Sequence, residues 1–421
     1  MTSIRTLSPA LGTVERPLKR DTPATTSAPH EKPARLLSLD AYRGAIMLFM
    51  ASGGLALPAA AKQFPDSPIW RFLAFNTDHV EWVGCSLWDL IQPSFMFMVG
   101  VAMPYSIAGR RAKGESERKI ALHVLYRAVL LVLLAVFLTS NWSKQTDFVF
   151  VNVLAQIGLG YAFLYLLLER GMRVQLAALA VILIGYWLLF LLWPSPDPAA
   201  YAAGSPSWFA HWNKNANAAT DFDVWFLNLF PRAEPFVFNN GGYQTLNFVP
   251  SLGTMILGLM AGEMLRTSKS KMHKLAWLLS VGALCLALGW LAGEFFCPIV
   301  KRIWTPSWVL FSAGWTFAML AGFFWLIDIQ GWRRWSFPFV VVGMNSIAMY
   351  CMAQLMKGWM RSSLQIHLGP FAMPSLRRMN LSVDPVWVNN TFGPIVQSAT
   401  VLLVLWLICL WMYRRGIFLR I

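Results

Sequence analysis

Charged side chains are scarce in this chain, at 13% of 421 residues against 57% hydrophobic ones. That scarcity, with a mean hydropathy of +0.50, excludes an ordinary soluble domain. Cysteine is scarcer still: Cys85, Cys285, Cys297, Cys351 and Cys409 show no CxxC or CxxH spacing, and several lie in apolar windows. A disulfide framework and a zinc centre are therefore not expected, and no metal is assigned. Acidic residues are few, 20 against 35 basic ones. No internal repeat of the kind that marks many secondary transporters is visible. Residues 1–34 are rich in Pro, Thr, Ser, Ala and charge, contain no apolar run, and read as a disordered cytoplasmic tail rather than a signal peptide.

What fills the remaining chain, residues 35–421, is a succession of apolar windows near the ~20 residues that cross a bilayer. About ten are expected, over 41–61, 88–108, 120–139, 149–168, 174–193, 247–265, 275–296, 306–327, 337–357 and 395–413. The fold class is all-α: a polytopic integral membrane bundle. Lys and Arg fall on alternate loops with an excess of about two to one, in RRAKGESERK, RTSKSKMHK and YRRGIFLRI among others. This places both termini in the cytoplasm. It also explains the basic balance as an orientation signal, so no nucleic-acid partner is expected. Residues 194–246 and 358–394 become large external loops, and their aromatic, Asn and Asp content suits either interfacial packing or a hydroxyl-rich ligand.

Polar residues that a membrane must tolerate are the candidates for function. The stretch 78–105, DHVEWVGCSLWDLIQPSFMFMVGVAMPY, runs from Asp78, His79, Glu81 and Asp89 into an apolar span. His79 reads either as an interfacial ring or as a base or acyl relay at the mouth of a membrane path, oriented by Asp78 or Asp89. Asp40 and Arg43 sit i, i+3 on one helix face and can pair. Arg127 lies deeper in its span, and with Arg43 would form a cationic pocket for phosphates. Gln156, Asn152, Asn345 and Ser346 either join helices or touch a ligand. The layout is two-sided. Basic groups lie on the cytoplasmic side and His79 on the other, which suits an acyltransferase and equally a transporter or flippase for a sugar or anionic lipid.

RLLSLDAYRG, DHVEWVGCSLWDLIQPSFMFMVGVAM, VNVLAQIGLGY, FVVVGMNSIAMY and MYRRGIFLRI resemble, in this order, the membrane region of the heparan-α-glucosaminide N-acetyltransferase family, from Arg35 to Ile421. The resemblance implies an acyltransferase of the bacterial inner membrane. Acetyl-CoA would enter from the cytoplasm, and its acetyl group would pass to an amino sugar or glycan of the cell envelope. It implies His79 as the active-site histidine, with Asp78 or Asp89 beside it. Arg43 and Arg127 would bind CoA phosphates, near Asp40 and Gln156, and Asn345 would line the transfer path. It also suggests a homodimer. Two departures stand out. The family's Asn near the outer end of the first span is replaced by the Ser52 of MASGGLALP, and its Leu-Gln-Arg appears as Leu154-Ala155-Gln156.

Overall fold

A computed structural model describes residues 36–194, 207–378 and 385–419; the tail expected at 1–34 lies outside the described residues. In chain order the helices are α1 (Leu37–Ser52), α2 (Leu57–Ala61), α3 (Pro68–Asn76), α4 (Ile91–Arg111), α5 (Glu117–Ser140), α6 (Val153–Leu166), α7 (Met172–Leu192) and α8 (Ala218–Leu227). They continue as α9 (Phe248–Arg266), α10 (Lys271–Phe295), α11 (Pro306–Phe324), α12 (Phe337–Gly343), α13 (Ser346–Leu355), α14 (Lys357–Arg378) and α15 (Pro385–Arg414). Among the described residues there is no strand, only an isolated bridge between Asn213 and Ala216.

Helix starts follow from local chemistry. Ser116 accepts from the Lys119 amide, Asn152 from Ala155 and Ser270 from His273, each satisfying a donor the helix cannot use itself. Thr305 caps α11 in the same way, with Pro306 at the first helical position, where a missing N–H costs nothing.

Among the described residues, eight helices are long and apolar enough to cross a bilayer, and a bent pair would make a ninth. The protein is thus an all-α polytopic membrane protein. Two of the ten expected segments take a different form. Residues 149–168 give only the 14-residue α6, because Asn152 caps it and the chain before it is not helical. At 1.5 Å per residue α6 spans about 21 Å, short of the ~30 Å hydrocarbon core. Residues 337–357 break at Met344–Asn345 into α12 and α13, bent by 67°. Much of 358–394 is helical rather than loop, forming α14 and the start of α15.

α4 and α9 form the centre: 67% and 78% of their apolar windows are buried, against 22% for α7 and α10. Small residues make their close approach possible. A Cβ on Gly100 would strike the Met255 carbonyl; one on Gly258 or Gly262 would strike the carbonyls of Phe97 or Val101. The α1–α12 contact uses the same device, Gly44 facing the Phe339 carbonyl and Gly343 that of Asp40. Gly258→Val should therefore destabilise the bundle by about 1–3 kcal/mol or more. The measurement is thermal unfolding in detergent, and an unchanged midpoint would contradict the packing.

At one end of the bundle, α8 packs on the turn Thr245–Asn247 through a buried carboxylate. Asp223 is 0% exposed; its Oδ2 accepts the Thr245 amide at 2.9 Å, while Oδ1 has no partner among the described residues. Burial pushes this carboxyl from 3.8 up to about 6, against the opposing pull of the Thr245 amide and Arg232. The folded state therefore holds this proton more tightly than the unfolded chain. The resulting stability is complete below pH ~4 and is lost as pH rises through about 6, a difference on the order of 3 kcal/mol. Asp223→Asn should raise the melting temperature at pH 7.5 and flatten its dependence between pH 4 and 7. Thermal scans across that range test this.

Candidate active site

The site begins as a local helix-start problem. Ser86 and Asp89 bond reciprocally at the entrance to α4: the Asp89 amide donates to Ser86 Oγ at 3.3 Å, and the Ser86 amide to Asp89 Oδ2 at 3.2 Å. This is the arrangement of a capping box. Ser86 Oγ also lies 2.9 Å from Oδ2 and 2.7 Å from the Asp78 carbonyl, while the Val80 amide donates to Oδ2 at 3.1 Å. One carboxylate oxygen thus folds residues 78–86 around itself.

The other oxygen serves His79. Nδ1 of His79 lies 2.7 Å from Asp89 Oδ1. A contact that short between an imidazole nitrogen and a carboxylate oxygen requires a proton between them. Nδ1–H therefore donates, and Nε2 lies outside the pair; among the described residues no hydrogen bond is made by Nε2. The His79 side chain is 34% exposed while that of Asp89 is 2% exposed, so the ring is partly accessible and the carboxylate that holds it is not. Of the two candidate carboxylates, Asp89 orients the ring. Asp78 instead accepts the His79 amide at 2.8 Å.

Lys301 completes the cluster and was not among the residues singled out from sequence. It comes from the turn between α10 and α11, 222 positions from His79. Nζ lies 3.3 Å from Asp89 Oδ1 and 3.2 Å from His79 Nδ1, and the side chain is 5% exposed. Burial lowers its proton affinity, and the adjacent Asp89 carboxylate counters that effect. The turn is held rigidly: Thr305 Oγ1 donates to the Pro298 carbonyl at 2.8 Å and accepts the Val300 amide at 3.0 Å. It is stapled to the His79 loop by the Gly84 amide on the Ile299 carbonyl at 2.9 Å and by Arg302 on the Val80 carbonyl at 3.2 Å. A sequence signal existed: Lys301-Arg302 is a basic pair in a short loop on the side where basic residues are otherwise depleted.

The remaining candidates are distributed. Gln156 is buried on α6, where its Oε1 accepts from Gln92, one turn beyond Asp89, at 3.0 Å. Further along α6, the Tyr161 hydroxyl accepts from Arg127 at 3.0 Å, and the guanidinium stacks on the Tyr161 ring at 4.8 Å. Nε of Arg127 is buried without a partner among the described residues, a donor that an anionic group would satisfy. Arg43 pairs with Asp40 at 3.9 Å on α1. α1 and α5, which carry Arg43 and Arg127, share no extensive packing. Asn345, at the α12–α13 break, donates to the Ile417 carbonyl at 3.0 Å and accepts the Leu419 amide at 3.1 Å, clasping the chain after α15. Ser52 turns back on its own helix, its hydroxyl donating to the Phe49 carbonyl. Residues 53–56 then run in the left-handed region, including the non-glycines Leu55 and Ala56. That strained turn packs Gly54 onto Thr77, two residues before His79. Among the described residues no group of three or more His, Cys, Asp or Glu could hold a metal.

No family model matches the chain. Two curated relatives do. Heparan-alpha-glucosaminide N-acetyltransferase of Homo sapiens is 25% identical over 399 residues, covering 82% of this chain and 57% of the relative. The protein of the same name from Mus musculus is 24% identical over 369 residues, covering 75% and 53% respectively. The chain spans a little over half the length of these relatives. The chain is thus similar, over most of its length and at 24–25% identity, to the heparan-alpha-glucosaminide N-acetyltransferases of two mammals.

Proposed function

We propose that this protein is a membrane acetyltransferase that passes an acetyl group from acetyl-CoA, reaching it from the cytoplasm, to the amine or hydroxyl of an amino sugar or glycan on the external side. The observation that carries the reading is the His79–Asp89 pair, with Nδ1–H held at 2.7 Å on a ring that is one-third exposed. Nε2 takes the acceptor's proton as the acceptor nitrogen or oxygen attacks the thioester carbonyl. When the tetrahedral species collapses, the C–S bond breaks and the proton passes from the ring to the leaving thiolate. The same Nε2 also suits a two-step route through an acetyl-imidazole, in which the ring attacks first and the acceptor second.

Asp89 cannot serve as proton store, because its oxygens are already occupied by donors from Val80, Ser86, His79 and Lys301. The donor's route is supported by a ladder of polar groups. Asp89 and Gln92 are three residues apart on α4, and Gln156 and Tyr161 five apart on α6. Together they make roughly 12 Å of helix rise from His79's partner to Arg127. Arg127, with its unpartnered Nε, and Arg43, braced by Asp40, would hold CoA phosphates. Asn345 would shape the entry by fixing residues 417–419. The bacterial cytoplasmic membrane is our proposed location.

Reconstituted with labelled acetyl-CoA and glucosamine, the protein should transfer label to the acceptor. His79→Ala should reduce that rate by roughly 10²–10⁴-fold or more, and Asp89→Asn by a comparable factor through loss of the Nδ1–H tautomer. Undiminished transfer by a well-folded His79→Ala protein removes this mechanism. Sugar uptake into vesicles lacking any acyl donor would instead favour a transporter.

A further inference from the structure

The His79–Asp89 pair alone presents a chemical difficulty. A buried carboxylate 2.7 Å from an imidazole favours a second proton on the ring, and a ring so charged has no lone pair on Nε2. Lys301 occupies the place that resolves it. Its Nζ is nearly equidistant from Asp89 Oδ1 and His79 Nδ1, at 3.3 and 3.2 Å, so its charge sits over the hydrogen bond between them.

We propose that Lys301 is a positioning residue that balances the Asp89 charge, so that Asp89 orients His79 without drawing a second proton onto the ring. The other groups facing the pair do not duplicate this role. Asp78 spends its carboxylate on the His79 amide, and Arg302 directs its guanidinium at the carbonyls of Val80 and Gly241 and over the Tyr243 ring. Glu81 is exposed. Burial pushes the Cys85 thiol up to about 12, with the Asp89 charge adding to the effect, so it stays neutral. Tyr243 is likewise pushed up by burial. Lys301 is the cation in direct contact with both members of the pair. No other side chain supplies its charge there among the described residues.

The proposal deepens the acyl-transfer reading, yet its test does not require turnover. Diethyl pyrocarbonate carbethoxylates neutral imidazole, and the rate at His79 can be followed against pH in the intact detergent-solubilised protein. His79→Ala provides the background from the five other histidines of the six in the chain. In Lys301→Met and in Lys301→Gln, which keeps a hydrogen-bond donor without the charge, the midpoint of the rate profile should move to higher pH. The expected shift is at least about one unit, since removing a nearby cation favours the charged ring. Lys301→Arg should restore the wild-type midpoint, and the ascending limb of kcat/KM should move in parallel. An unmoved midpoint in the Met and Gln variants overturns the proposal. So does an Arg variant that shifts as far as the Met variant. Should His79→Ala transfer acetyl normally while these midpoints still shift, the acyl-transfer reading fails and the charge balance stands.

Discussion

The end of the bundle that holds His79 depends on one carboxylate being satisfied. Asp89 is almost wholly buried, and an unpaired charge there would cost several kcal/mol. It escapes that cost by collecting donors from three places: the His79–Val80 backbone and ring, Ser86, and the turn bearing Lys301. Each donor is therefore held by the others' need for Asp89. Removing one leaves a buried charge partly unpaired, which makes this cluster stiff as well as polar.

That stiffness rests on the packing beneath it. Asp89 sits at the mouth of α4, and α4 is seated against α9 by glycines that let the two backbones touch. In lipid there is little hydrophobic gain in pressing one helix on another, so close van der Waals approach and polar contacts must do it. The Gln92–Gln156 bond serves the same end between α4 and α6, and the short α6 then extends polar groups toward Arg127. The short α6 buries one face against its neighbours, including Leu154, Gln156, Ile157 and Tyr161.

The electrostatic arrangement divides labour between the two oxygens of one side chain. Oδ2 is spent on backbone and Ser86, which shapes the loop; Oδ1 is shared by the ring and Lys301. A general base must be both oriented and unprotonated, and a lone carboxylate supplies only the first of these. In the proposal above, the lysine against the pair supplies the second. A cation buried this deeply is sustained only by the anion beside it.

Much of this protein is written locally. The apolar windows, the caps at Ser116, Asn152, Ser270 and Thr305, and the alternation of basic loops are short-range signals, and they determine an all-α membrane bundle on their own. His79 and Asp89 were legible too, ten residues apart beside a span, as was the Asp40–Arg43 pair on one helix face. Three things were decided only by the tertiary structure. The break at Asn345 depends on the chain end it clasps, the choice of Asp89 over Asp78 depends on how the loop closes, and Lys301 arrives from 222 residues away. Periodicity and capping act over a few residues, whereas charge pairing in a low-dielectric interior acts through space and ignores sequence distance.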